Sequence, residues 1–219
     1  MSPEVSERSF EEAIACGLLV SGADACAGDV REPPPEPYEG LLPGGYQKRT
    51  AKEYDRTLCL LPRDVVDFVL ATQPQTWERL AEHHGSGVEQ QFLQRLASEV
   101  GRRGVLDVLR NGIKDSGCKF RLAYFRPASG LNEETRRLYR ANLFSVVRQL
   151  HYSTKSEESL DLVLFLNGLP VFTAELKNPL TGQDVEDAIR QYKTDRDPHE
   201  PLLAYGRCLA HFAVDPNLV

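Results

Sequence analysis

LDLVLFLNGLPVFTAELK, residues 160–177, decides how this chain folds. Two apolar, β-rich runs, 160–166 and 171–176, flank Asn167–Gly168. Asn-Gly between such runs favours a tight turn with positive φ at both residues, so the stretch predicts an antiparallel hairpin. A bare two-residue turn would set Asp161 opposite Ala174. Asp161 meets Glu175 squarely only if the loop has an odd length or one strand carries a bulge. Either way the two carboxylates lie on neighbouring strands, within one residue of register. Glu175 and Lys177 are two apart and share a face.

Charge inside an apolar strand needs a reason, because desolvating an unpaired charge is expensive. Two placements fit Asp161, Glu175 and Lys177. They can face solvent at a strand start and on an edge strand. Alternatively the carboxylates converge into a hard-oxygen site of the kind that suits Mg²⁺. A lysine beside them would orient or deprotonate a water and offset phosphoryl charge, which suits phosphodiester hydrolysis. In the second case, crowding should raise at least one carboxylate pKa while no metal is bound. The pair should then sit on a sheet edge open to solvent.

Downstream, TGQDVEDAIRQYKTDR (181–196) reads as a helix capped by Thr181 and Asp184, with Val185, Ala188, Ile189 and Tyr192 facing inward. RCLAHFAV (207–214) reads as a buried strand. Hairpin, helix and strand in that order imply an α/β layer on a mixed sheet. Upstream, 144–152 and the alternating, aromatic KFRLAYF (119–125) read as strands, and 132–143 as a short charged helix. Residues 76–113 carry helical apolar stripes punctuated by Gly85, Gly87, Gly101 and Gly104. Residues 54–62 read as a strand, with Pro62 opening a helix. The proline-rich 30–50 reads as an extended surface connection. Residues 8–19 form an amphipathic helix through Phe10, Ile14 and Leu18, capped by Ser6 or Ser9 and ended by Gly17 and Gly22.

The 219 residues carry 26 Lys+Arg against 32 Asp+Glu, a net charge of −6. That balance argues against gripping nucleic acid by bulk electrostatics. No apolar run reaches the roughly 18–20 residues of a membrane helix, and the N-terminus has no signal-peptide pattern. The five cysteines are odd in number, widely spaced and without a CxxC, so free thiols in a reducing cytoplasm are expected. His83–His84 points two ways on a helix and suits a helix end before Gly85 better than a metal site.

The run LDLVLFLNGLPVFTAELKNP followed by DAIRQYKTDRDP resembles the N-terminal nuclease domain of the restriction (motor) subunit of type I restriction enzymes. That family carries a version of the PD-(D/E)XK nuclease core. Leu160 stands where the core often has Pro. The likeness is specific over 144–215, thinner over 54–143, and absent over 24–53.

The resemblance implies an α/β PD-(D/E)XK core, with a central mixed sheet flanked by helices and a mostly helical insertion. The core would occupy about 1–25 and 115–219, and the insertion about 26–114. Asp161 and Glu175 would hold Mg²⁺, and Lys177 would be the catalytic lysine. Phe10–Glu11–Glu12–Ala13–Ile14 matches the family's F-E-x-x-I, which makes Glu11 a further catalytic acid and Glu12 its fallback. The family's Q-x-x-x-Y motif is incomplete here, since Gln191 is followed by Asp195. Gln191 would position DNA, with Arg190, Lys193 and Arg196 as candidate phosphate contacts. Double-stranded DNA and the modification and specificity subunits are the implied partners. The chain lacks a P-loop, so ATP would be used only by a motor region outside it, and the chain reads as an N-terminal part of the subunit. A stand-alone nuclease and a catalytically silent docking scaffold are the alternatives.

Overall fold

Asn167 (φ 51°) and Gly168 (φ 79°) close the hairpin as the sequence predicts. The structure, a computed structural model, describes residues 7–21, 45–128, 131–177 and 185–215. In chain order the elements are α1 (Glu7–Ser21), β1 (Gln47–Arg49), α2 (Pro62–Thr72), α3 (Pro74–His84), α4 (Val88–Arg103) and α5 (Val105–Asn111). They continue with β2 (Ile113–Asp115), β3 (Cys118–Phe120), α6 (Glu133–Arg140), β4 (Phe144–His151), β5 (Ser159–Leu166) and β6 (Leu169–Leu176). Last come α7 (Val185–Arg190), a π-helical turn over Gln191–Asp195, and β7 (Ala210–Val214).

The main sheet runs β1-β4-β5-β6-β7. Its centre is antiparallel, and β1 and β7 flank it in parallel with β4 and β6. This is the mixed α/β sheet expected. Strand β6 is buried almost throughout, as a strand covered on both faces must be. One face packs Val146, Leu162, Ala174 and Leu176 under Phe10, Ile14 and Leu18 of α1. The other packs Val147, Leu150, Leu160, Val163 and Phe165 against Tyr54, Tyr152 and Leu202. At the turn end, Leu169 and Val171 join the core of α2–α5 and β2–β3. Trp77, Phe92 and Phe120 meet there edge to face.

The turn does more than reverse the chain. A Cβ on Gly168 would lie 2.5 Å from Val65 Cγ2 and 2.6 Å from the Leu61 carbonyl, so only glycine fits under α2. The fully buried Asn167 donates to Leu122 O (2.8 Å) and Asn142 Oδ1 (2.9 Å) and accepts from Leu143 N–H (2.7 Å). Next to the turn, Leu166 faces Leu169 and Phe165 faces Pro170. Val171 is then skipped, and Leu164 faces Phe172. This bulge is the one-residue shift that the sequence required. Carried one step past the last pair, Leu162–Ala174, it sets Asp161 level with Glu175.

Several expectations are corrected. Residues 54–62 form turns with one bridge, Asp55–Leu60, not a strand. The Asp55 carboxylate captures the Thr57 and Leu58 N–H groups, which diverts them from a ladder. The strand at 119–125 stops at Phe120, because the Gln73 amide takes both the N–H and the carbonyl of Arg121. Gly17 and Gly101 lie inside α1 and α4, and Ser9 lies inside α1. β7 is a short edge strand with His211 and Phe212 exposed, not a buried one. Gln47–Arg49, expected in a surface connection, forms β1. Its three polar residues carry no strand pattern. The strand is held from outside, by β4 and by Arg49 on the buried Asp64 (2.9 Å), which also accepts from Ser145 (2.6 Å). Ser6, Gly22 and the Thr181–Asp184 cap lie outside the described residues. The ends expected from Pro62 and Gly85 stand where predicted, and the charged helix expected over 132–143 is shorter, Glu133–Arg140, with Asn132 as its N-cap.

Candidate active site

The β4–β5 ladder skips two residues at once. Arg148 pairs with Leu162 and Leu150 with Leu160, while Gln149 and Asp161 between them leave the register. Gln149 has φ 48°, a left-handed conformation that a side chain this size adopts at a cost of roughly 1–3 kcal/mol. The break turns both side chains out of the alternation. Asp161 Oδ1 accepts from the Gln149 amide at 3.1 Å. Its Oδ2 accepts the Leu176 N–H at 2.8 Å, in place of the ladder bond that β5 no longer supplies.

Glu175, 1% exposed, lies beside Asp161. Burial first, and then the Asp161 charge, push its carboxyl up to about 7 against the opposing pull of Arg196. A raised carboxyl, as the sequence leads one to expect, is therefore present, with burial as its larger cause and the Asp161 charge the smaller. The open sheet edge is not, since β7 covers β6 and Glu175 ion-pairs with the Arg196 guanidinium. Arg196 also donates to Ser159 O at 2.8 Å and lies over the Tyr152 ring at 5.4 Å. The π-turn brings it there, closed by its N–H to Gln191 O (3.0 Å).

Lys177 donates its backbone N–H to Val214 O at 2.8 Å, continuing the β6–β7 ladder. The alternation keeps it on the face of Glu175, where it is 6% exposed. Thr173, two residues before Glu175, bonds Tyr192 (2.8 Å) and His211 (2.6 Å), which fixes the neighbouring wall.

Glu11 is buried and paired with Arg148 at 2.6 Å. Among the described residues it is linked to Asp161 through Gln149, whose amide also contacts Glu11 at 3.3 Å. Glu12 is exposed. Among the described residues no three His, Cys, Asp or Glu side chains form a metal cluster, so the carboxylate pair stands as two. Gln191 Oε1 is buried with no partner among the described residues. Arg190 and Lys193 are exposed, with Arg190 on Asp187. Sequence reading missed Gln149 and Arg148. The only signal was an adjacent polar pair that interrupts the apolar positions Val146, Val147 and Leu150 of β4. A cleft of about 470 Å³ lies elsewhere, between 55–62 and the start of α4.

Sheet and site together define an α/β protein with a carboxylate pair and a buried lysine at the end of a mixed sheet. The family model for the type I restriction enzyme R protein N terminus matches residues 69–217, more than half of the chain, and the chain belongs to that family. The match takes in Gln149, Asp161, Glu175, Lys177 and Arg196 and leaves out α1 with Glu11. No curated protein and no solved structure matches. No helix among the described residues is long and apolar enough to cross a membrane.

Proposed function

We propose that this domain is the Mg²⁺-dependent endonuclease of a type I restriction R subunit, built on a PD-(D/E)XK core and working in the cytoplasm. One observation carries the reading: Asp161 and Glu175 sit side by side on adjacent strands, where burial first and the Asp161 charge second push Glu175 up to about 7, with Lys177 buried two residues further on. Such a pair is relieved by a divalent cation, and its donors are the hard oxygens that Mg²⁺ takes. Asp161 and Glu175 would hold the ion. When bound, Mg²⁺ supplies Lewis acidity toward a phosphodiester and its attacking water.

The chain's own residues do the rest. Gln149 and the Leu176 N–H orient Asp161. Arg196 neutralises Glu175 in the metal-free state and must give way or turn its charge to the substrate as the site fills. Lys177 orients the attacking water and offsets charge growing on the phosphate. Recognition and ATP-driven translocation belong, on this reading, to partner subunits and to regions outside this chain.

The test is nicking of supercoiled plasmid in Mg²⁺ by the assembled R subunit. Lys177→Ala should abolish cleavage while the assembly forms normally. Cleavage at the wild-type rate by Lys177→Ala would remove the site assignment.

A further inference from the structure

Away from the carboxylates, a cleft of about 300 Å³ opens between the end of α4 and the β2–β3 hairpin. Five cations line it: Arg95, Arg102, Arg103, Lys114 and Lys119, against the single carboxylate of Glu99. This concentration of positive charge occurs in a chain whose total is −6. Glu99 is 4% exposed, and three guanidiniums converge on it, from Arg95 at 3.1 Å, Arg102 at 2.8 Å and Arg103 at 3.1 Å. Glu99 thus holds three arginines in place. Arg103 also ion-pairs with Asp107 beside the cleft, so two carboxylates meet three guanidiniums and leave one positive charge over, to which the two hairpin lysines add. Arg95 also donates to the Lys114 carbonyl at 3.3 Å, which ties the helix to the hairpin.

The hairpin adds a second observation. Lys114 and Lys119 are directly opposed across β2–β3, and both are exposed. Like charges directly opposed in a strand pair destabilise it. Neither lysine pairs with a carboxylate among the described residues. An anion between them and the arginine cluster would turn that repulsion into attraction.

We propose that this cleft binds the phosphodiester backbone of duplex DNA, as a grip remote from the carboxylate pair. The inference rests on the DNA-cutting reading and supplies what the net charge withholds, a local site of attraction on an acidic domain. Arginines held in a fixed array suit phosphate oxygens, and two lysines on a short hairpin suit a neighbouring phosphate as point charges.

The test is fluorescence anisotropy of a labelled 30-bp duplex with the full chain in EDTA, across a KCl series. Lys114→Glu with Lys119→Glu should weaken binding at least fivefold at 100 mM KCl. The same pair should flatten the log–log salt slope by about 2, one unit for each phosphate no longer neutralised. Lys52→Glu with Arg136→Glu removes the same charge elsewhere and should stay within twofold of wild type. Absent wild-type binding, an unchanged slope in the hairpin variant, or an equal loss in the control would each overturn the proposal. The last would leave only bulk charge, and the first two would leave the cleft to an acidic protein surface. Loss of duplex binding in 10 mM inorganic phosphate at constant ionic strength would also overturn it, by making the cleft a small-anion site. Because binding is read without metal, it stands apart from nicking. A chain that grips duplex through the cleft while the assembled R subunit never nicks would sink the nuclease reading alone.

Discussion

Gln149 and Asp161 leave the β4–β5 ladder together, and the amide of the first holds the carboxylate of the second at 3.1 Å. The same amide reaches Glu11 on α1, so one strained residue ties an acid from each of two layers. A backbone held at φ 48° in mid-strand persists only where surrounding contacts require it. Gln149→Gly relieves that strain and removes the tether. Its thermal midpoint should match or exceed wild type, while Mg²⁺ affinity by calorimetry should fall about tenfold, as for lost orienting partners of a metal ligand. Unchanged Mg²⁺ affinity would show that Gln149 orients nothing.

Glu175 links stability to pH. Its carboxyl is pushed up to about 7 from the ordinary 4.5, by burial and by Asp161. Between those values the folded state keeps a proton that the unfolded chain releases, so wild-type stability falls as pH rises through the window. Glu175→Gln has no proton to lose. Relative to wild type it should gain about 1–3 kcal/mol between pH 4.5 and pH 8, read from paired thermal melts. A difference that is flat with pH, or of opposite sign, would contradict the crowding.

Gly168→Ala should cost about 2–4 kcal/mol in denaturant unfolding, because it adds a φ penalty to a clash with α2 backbone that cannot move aside. Gly117→Ala makes the comparison. Gly117 also has positive φ (79°), but open space surrounds its Cβ position, so only the smaller conformational cost applies.

Cys59, Cys118 and Cys208 are buried, and burial pushes the Cys208 thiol up to about 12 and raises Cys59 as well. Cys16 is exposed. A thiol reagent at pH 8 should therefore modify no more than two of the five cysteines in the native chain and all five after unfolding. Rapid native modification of Cys59 or Cys208 would show that the sheet is open on the Tyr54–Tyr152 side.

The hairpin was legible because its signals are local. Asn-Gly sets its own turn, and the apolar runs on either side of it pair antiparallel to within one residue of register. Asp161, Glu175 and Lys177 stood out because charge in such strands is costly. Residues 54–62 misled because apolar content mimicked a strand, while Asp55 had already claimed the N–H groups. β1 was illegible because Gln47–Arg49 has no pattern of its own and exists only against β4 and Asp64.

By itself, then, the sequence determined the strands β4 to β6, the turn between the last two, the charged helix α6 and the presence of a carboxylate pair with a lysine. These follow from short-range periodicity and turn chemistry. Tertiary structure decided the bulge at Val171 that brings Asp161 level with Glu175, and the paired break at Gln149 and Asp161. It also decided the closing of Glu175 by Arg196. Each of these depends on which atoms from distant parts of the chain compete for the same space or the same hydrogen bond, and no local pattern of residues encodes that competition.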